Sequence, residues 1–123
     1  MYVTHVDNVR EYDVNIKGAC KVRVKYLLHK GVGAGRIQFR LFTIDTGGYT
    51  PLEKHMHEHE VYVLKGRGLV KSGGREAIIE PGSVVFIPSF EEHQFINIGD
   101  EPLQFLCTKE TSEIPEVLRG ELE

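Results

Sequence analysis

Apolar and polar residues alternate clearly in KVRVKYLL, residues 21–28. Val22, Val24 and Tyr26 take one parity, and Lys21, Arg23 and Lys25 take the other. Side chains two apart in a strand share a face, so this pattern predicts a strand with one wet face. Strands are likewise predicted over residues 36–44 (RIQFRLFTI), 60–65 (EVYVLK), 76–80 (EAIIE), 83–87 (SVVFI), 93–98 (HQFINI) and 103–108 (LQFLCT). Gly66, Gly68, Gly73, Gly74, Pro81, Gly82, Gly99 and Pro102 mark the turns between them. Many short strands with frequent turn signals predict an all-β antiparallel sandwich or barrel. The end of the chain differs. Thr111 and Ser112 offer a capping hydroxyl, and Glu113, Pro115 and Glu116 suit a first turn, which predicts one short helix there. Residues 29–35, HKGVGAG, read as a loop or hairpin tip.

Length and composition narrow the field. The 123 residues and 14.0 kDa fit a single domain spanning 1–123. The net charge is −3 and no long basic block occurs, which argues against nucleic acid as a partner. No apolar run approaches the roughly 20 residues of a membrane span, so no membrane partner is expected. The opening MYVTHVDNVREYDV lacks the apolar core of a secretion signal, which makes the cytoplasm the expected location. Cys20 and Cys107 lie far apart, form no CxxC, and read as two reduced thiols.

The candidate chemistry is concentrated in one place. EKHMHEHE, residues 53–60, holds three histidines and three glutamates. Glu53, His55, His57 and His59 share one parity, so an unbroken strand would aim all four the same way. A solvated acidic turn is the plain reading of such a stretch. A metal site is the sharper one, because imidazoles and carboxylates are ligand types.

A second signal decides between them. PGSVVFIPSFEEHQFIN, residues 81–97, places Gly82, Pro88, His93 and Asn97 at set intervals. Together with the stretch from Gly47 to Gly66, it resembles the two motifs of the cupin superfamily. The first motif is a glycine, five residues, HxH, three or four residues, a glutamate, six residues and a glycine. The second is a glycine, five residues, PxG, two residues, a histidine, three residues and an asparagine. The 15 residues between Gly66 and Gly82 match the short spacing of small microbial cupins. The second motif departs at one place, where Phe90 replaces the middle glycine. The first fits in two registers. Without a gap, Glu53 takes the first histidine position, His55 the second and His59 the third ligand position, with His57 in a turn. The alternative register pairs His55 with His57 and leaves His59 or Glu60 as the third ligand. The ungapped register is preferred because it keeps Gly47 and Gly66 at family spacing.

The resemblance implies a double-stranded β-helix, or jelly-roll barrel, with its core at about residues 36–108 and the short helix outside it. It implies a divalent metal on Glu53, His55, His59 and His93, with His57 as the alternative ligand. Three imidazoles and a carboxylate suit Mn²⁺ or Fe²⁺, with Ni²⁺, Co²⁺ or Zn²⁺ also accommodated. It implies a metal-dependent enzyme of dioxygenase, isomerase or decarboxylase type acting on a small oxygen-bearing metabolite. The other reading is a non-catalytic cupin that binds a small molecule or metal as sensor or carrier. Phe39, Leu41, Tyr62, Leu64, Phe86 and Phe105 are candidate walls of the pocket, with plain core packing as the other reading of each. A homodimer is expected, with the strand at 21–28 added to a partner's sheet edge.

Overall fold

The computed structural model describes residues 1–122. Nine strands are present among them: β1 Glu11–Asp13, β2 Cys20–Leu28, β3 Ile37–Tyr49, β4 His59–Lys65, β5 Gly68–Ser72, β6 Arg75–Ile79, β7 Val84–Ile87, β8 His93–Asn97 and β9 Leu103–Glu110. One helix follows, α1 Glu116–Leu122. The strands join in the order β6-β5-β8-β3-β9-β4-β7, with β2 on β3 and β1 on β2. Adjacent strands run antiparallel. The sheet curls on itself as a jelly-roll barrel.

Burial alternates as the pleat demands. His59, Val61 and Val63 are buried on β4, His93, Phe95 and Asn97 on β8, and Leu103, Phe105 and Cys107 on β9. Phe105 is fully buried, with its ring stacked 4.7 Å from Phe95 and 5.6 Å from Phe42. These three rings form an apolar floor, and the histidines that open β4 and β8 stand above it.

The motif residues have structural duties. Gly47, Gly66 and Gly82 all take positive φ, at 82°, 87° and 92°. At Gly66 a Cβ would also come within 2.5 Å of the Pro102 carbonyl oxygen, so no larger residue fits there. Asn97 is buried and ties two segments together. Its Nδ2 donates to the carbonyls of Ile44 (2.8 Å) and Glu101 (2.9 Å), and its Oδ1 accepts from the Gly99 amide (2.9 Å).

Several expectations need correction. Gly68 opens a strand, β5, where a turn was read, and β1 was not foreseen. The expected short helix is present as α1, beginning at Glu116 directly after Pro115, while the Thr111 hydroxyl accepts from the Glu113 amide in a local turn (3.1 Å). Residues 29–35 contain a short 3₁₀ turn, Lys30–Val32. The strand at 21–28 is not a free edge. It lies between β3 and the short β1, which pairs with Arg23 to Lys25. Arg23 fastens this corner through Glu11 and Asp45, both at 2.7 Å.

Candidate metal centre

His59 and His93 are placed by strand parity. His59 shares the inward face of Val61 and Val63, and His93 that of Phe95 and Asn97. Glu53 lies outside the strands but forms a two-way backbone bridge with His93, at 3.1 and 2.9 Å. Opposed residues of such a bridge face the same side, so the Glu53 carboxylate is directed with the His93 ring. The chain then bends through Met56 and His57 before β4 begins. Phe90 secures this bend, its amide donating to the His55 carbonyl at 2.8 Å. The Ser89 hydroxyl bonds the Met56 carbonyl beside it. Phe90 itself has φ of 61°, the left-handed conformation that its motif position reserves for glycine.

These supports bring His55, His59 and His93 together, with candidate ligand atoms all within 4.8 Å of one another. The Nε2 atoms of His55 and His59 face each other at 3.5 Å. His57 stacks on His55 with ring centroids 3.9 Å apart. Glu53 and His57 line the same cavity, of about 270 Å³, but stand outside the compact group of three. The segment 53–59 is therefore not one strand that presents four side chains in a row. The bend leaves the His57 ring beside the cluster, stacked on His55 and with its centroid 4.7 Å from that of His59.

The tautomers suit a metal. His93 Nδ1 lies 3.0 Å from the Glu91 carbonyl, which can only accept, so that nitrogen carries the proton and Nε2 is left as a lone-pair donor. His59 Nδ1 lies 3.2 Å from the Thr108 carbonyl and 3.3 Å from Arg40 Nη2. One neighbour only accepts and the other only donates, so Nδ1 can serve one at a time. The form protonated at Nδ1 bonds Thr108 and frees Nε2. Protonation of His55, His57 and His59 is suppressed. Burial, then the Arg40 cation, push His59 down to about 3. Burial and His55 push His57 down to about 4. His55 is also lowered, by burial and then by His93. Neutral imidazoles are what a cation requires. The Nδ1 of His55 is buried and makes no hydrogen bond among the described residues, while its Nε2 faces the cluster. Three converging imidazoles with a carboxylate at hand fit a divalent metal by donor chemistry and by geometry.

The expected walls were mostly assigned to the wrong side. Of the six, Phe105 alone lines the cavity. Tyr62, Leu64 and Phe86 are 47%, 43% and 57% exposed, because His59 and Ile87 face inward and their odd-numbered neighbours follow. On β3 the cavity receives Arg40 and Phe42, not Phe39 and Leu41. Arg40 and Lys109 were the functional candidates missed. Their signal was register: once β3 and β9 are paired, Arg40 opposes Cys107 and Gln38 opposes Lys109, all on the inner face.

A curled antiparallel barrel with a histidine cluster over an aromatic floor defines a class. The chain belongs to the cupin family, whose Cupin domain profile matches residues 40–109. It is similar to an oxalate-binding protein of Thermotoga maritima, with 32% identity over 73% of this chain and 76% of that protein. It is also similar to a 1-methylthio-D-xylulose 5-phosphate methylsulfurylase of Rhodospirillum rubrum, with 41% identity over 57% of this chain. That match spans only 45% of the methylsulfurylase. Among solved structures, the polyketide cyclase RemF of Streptomyces resistomycificus aligns with a TM-score of 0.85 and 30% identity, covering 94% of this chain and 82% of that one.

Proposed function

We propose that this cupin holds a divalent metal on His55, His59 and His93, with Glu53 as a fourth ligand, and acts as a metal-dependent enzyme on a small oxygen-bearing metabolite. The observation that carries the reading is the convergence of three imidazoles on one cavity. Mn²⁺ or Fe²⁺ suits the mixed nitrogen and oxygen donors, and Ni²⁺, Co²⁺ or Zn²⁺ would also be held. When bound, such a metal supplies Lewis-acid polarisation of a substrate oxygen. The chain supplies the rest. Phe42, Phe95 and Phe105 exclude water from below, while His59 and His93 are oriented by backbone carbonyls. Names among the relatives include a cyclase, an isomerase and a methylsulfurylase, which support chemistry on small oxygenated substrates without choosing one.

The test is turnover by the metal-reconstituted protein against small carboxylates, keto acids and diketones, followed by oxygen uptake, CO₂ release and proton NMR. Turnover that disappears in His93→Ala supports an enzyme. Saturable binding with no turnover favours the second reading, a sensor or carrier, which the oxalate-binding relative supports.

Two further parts of the reading concern context. Cys20 and Cys107 are free thiols, which suits a reducing cytoplasm. No helix among the described residues is long and apolar enough to cross a membrane. A homodimer is part of the proposal, and because β1 already covers Arg23 to Lys25 of the 21–28 strand, an apolar face is the favoured surface. Tyr62 and Val84 are paired across β4 and β7, and with Leu64 and Phe86 they make an exposed apolar row that a second copy would cover. Light scattering that gives 14.0 kDa at micromolar concentration removes the dimer.

A further inference from the structure

The cavity wall carries two cations that the histidine cluster does not need. Arg40 on β3 and Lys109 on β9 both line it. The register pairs Gln38 with Lys109 and Arg40 with Cys107, so the two cations are diagonal neighbours on one face. Like charges at such a spacing repel, and both are partly desolvated there. Neither cation has a carboxylate within ion-pair distance among the described residues. Arg40 Nε is buried with no hydrogen-bond partner. Its Nη2 has only His59 Nδ1 and the Cys107 thiol, each at 3.3 Å. The first of these is lost in the metal-ready tautomer, where Nδ1 carries its own proton and turns to Thr108. The guanidinium rests over the Phe42 ring at 4.8 Å, which fixes its plane at the cavity wall. Among the described residues, Glu53 is the single carboxylate lining the cavity, against these two cations.

We infer that Arg40 and Lys109 form an anion subsite, and that the ligand of this cavity carries a carboxylate or phosphate group held by them beside the imidazole cluster. The planar fork of Arg40 matches either oxyanion, and Lys109 adds a second charge. The cavity of about 270 Å³ limits the ligand to a small metabolite. The inference rests on the proposed metal site only for the ligand's second anchor. The two cations and their missing partners stand without it.

The experiment is isothermal titration calorimetry of malonate and of glycerol 3-phosphate into the protein, once with its metal content measured and once after chelation. Whichever probe binds reveals whether the subsite prefers carboxylate or phosphate. Arg40→Gln and Lys109→Gln are each expected to weaken that probe by about 10-fold or more, with Arg40→Lys recovering part of the loss. Metal content is expected to stay at the wild-type level in Lys109→Gln, which also serves if Arg40→Gln does not fold. Unchanged affinity in Lys109→Gln and in a folded Arg40→Gln, or no binding of either probe to the wild type, would overturn the inference. Binding that depends on both cations in a protein that takes up no metal would instead overturn the metal reading and leave the subsite standing.

Discussion

Phe90 shows what one residue contributes. The family pattern asks for glycine there, and the backbone has the left-handed conformation that glycine favours, at φ 61°. The Phe90 ring is 63% exposed, so its side chain gains little from packing. Left-handed φ costs a non-glycine residue roughly 1–2 kcal/mol, and glycine gives back about 0.5–1 kcal/mol in unfolded-state entropy. Phe90→Gly is therefore expected to raise stability by about 0.5–1 kcal/mol in urea unfolding. A loss of stability would mean that the ring packs on a surface that covers it. The departure of this motif from its pattern was visible in the sequence, since the spacing around Pro88 and His93 left Phe90 nowhere else to go. Its strain was not visible, because backbone conformation is not written in residue identity.

At the scale of elements, legibility followed regularity. His93 and Asn97 were readable because they sit on a continuous strand that a glycine and a proline hold at fixed distances. The first motif was not, because residues 50–58 are mostly outside any strand. Parity predicts direction only where the pleat is unbroken, so the bend at Met56 and His57 removed the basis for choosing a register. The misplaced walls have a related cause. Both faces of β3 are largely buried, with Leu41 and Thr43 on one side and Ile44 on the other, so hydrophobicity there could not name the inner face. β5 was missed because GLVKS opens with glycine, which was read as punctuation. Asn97 offers a test at this scale. Asn97→Ala would leave the Ile44 and Glu101 carbonyls and the Gly99 amide without their partner. A loss of about 2–4 kcal/mol in chemical unfolding is expected, without change in the histidine cluster itself. A loss under about 0.5 kcal/mol, the size of an ordinary surface change, would show that water replaces all three bonds.

The whole molecule couples its fold to protons through the same histidines. His59 is held down at about 3 from an ordinary 6.5, so below 6.5 the unfolded chain binds more protons than the folded one. His55 and His57 shift in the same direction. The stability of the metal-free protein is therefore complete above the ordinary histidine range and is lost as pH falls through it towards the folded values. Thermal unfolding of metal-free protein is expected to show a falling Tm on acidification from about pH 7 to about pH 4, with a smaller fall in His59→Gln. An identical pH profile in both would detach the histidine cluster from the acid sensitivity of the fold.

The proposed metal site is tested most directly by elemental analysis of purified protein, as metal per chain, in the wild type and in four single alanine variants. The expected wild-type value is close to one divalent ion per chain. His93→Ala is expected to lose it and Glu53→Ala to hold markedly less, while His57→Ala and the exposed His5→Ala keep the wild-type content. Metal lost in His57→Ala but kept in Glu53→Ala would replace Glu53 by His57 in the site. A wild type without metal after reconstitution, or a His93→Ala variant that retains a full complement, would contradict the assignment of His55, His59 and His93 as a metal centre.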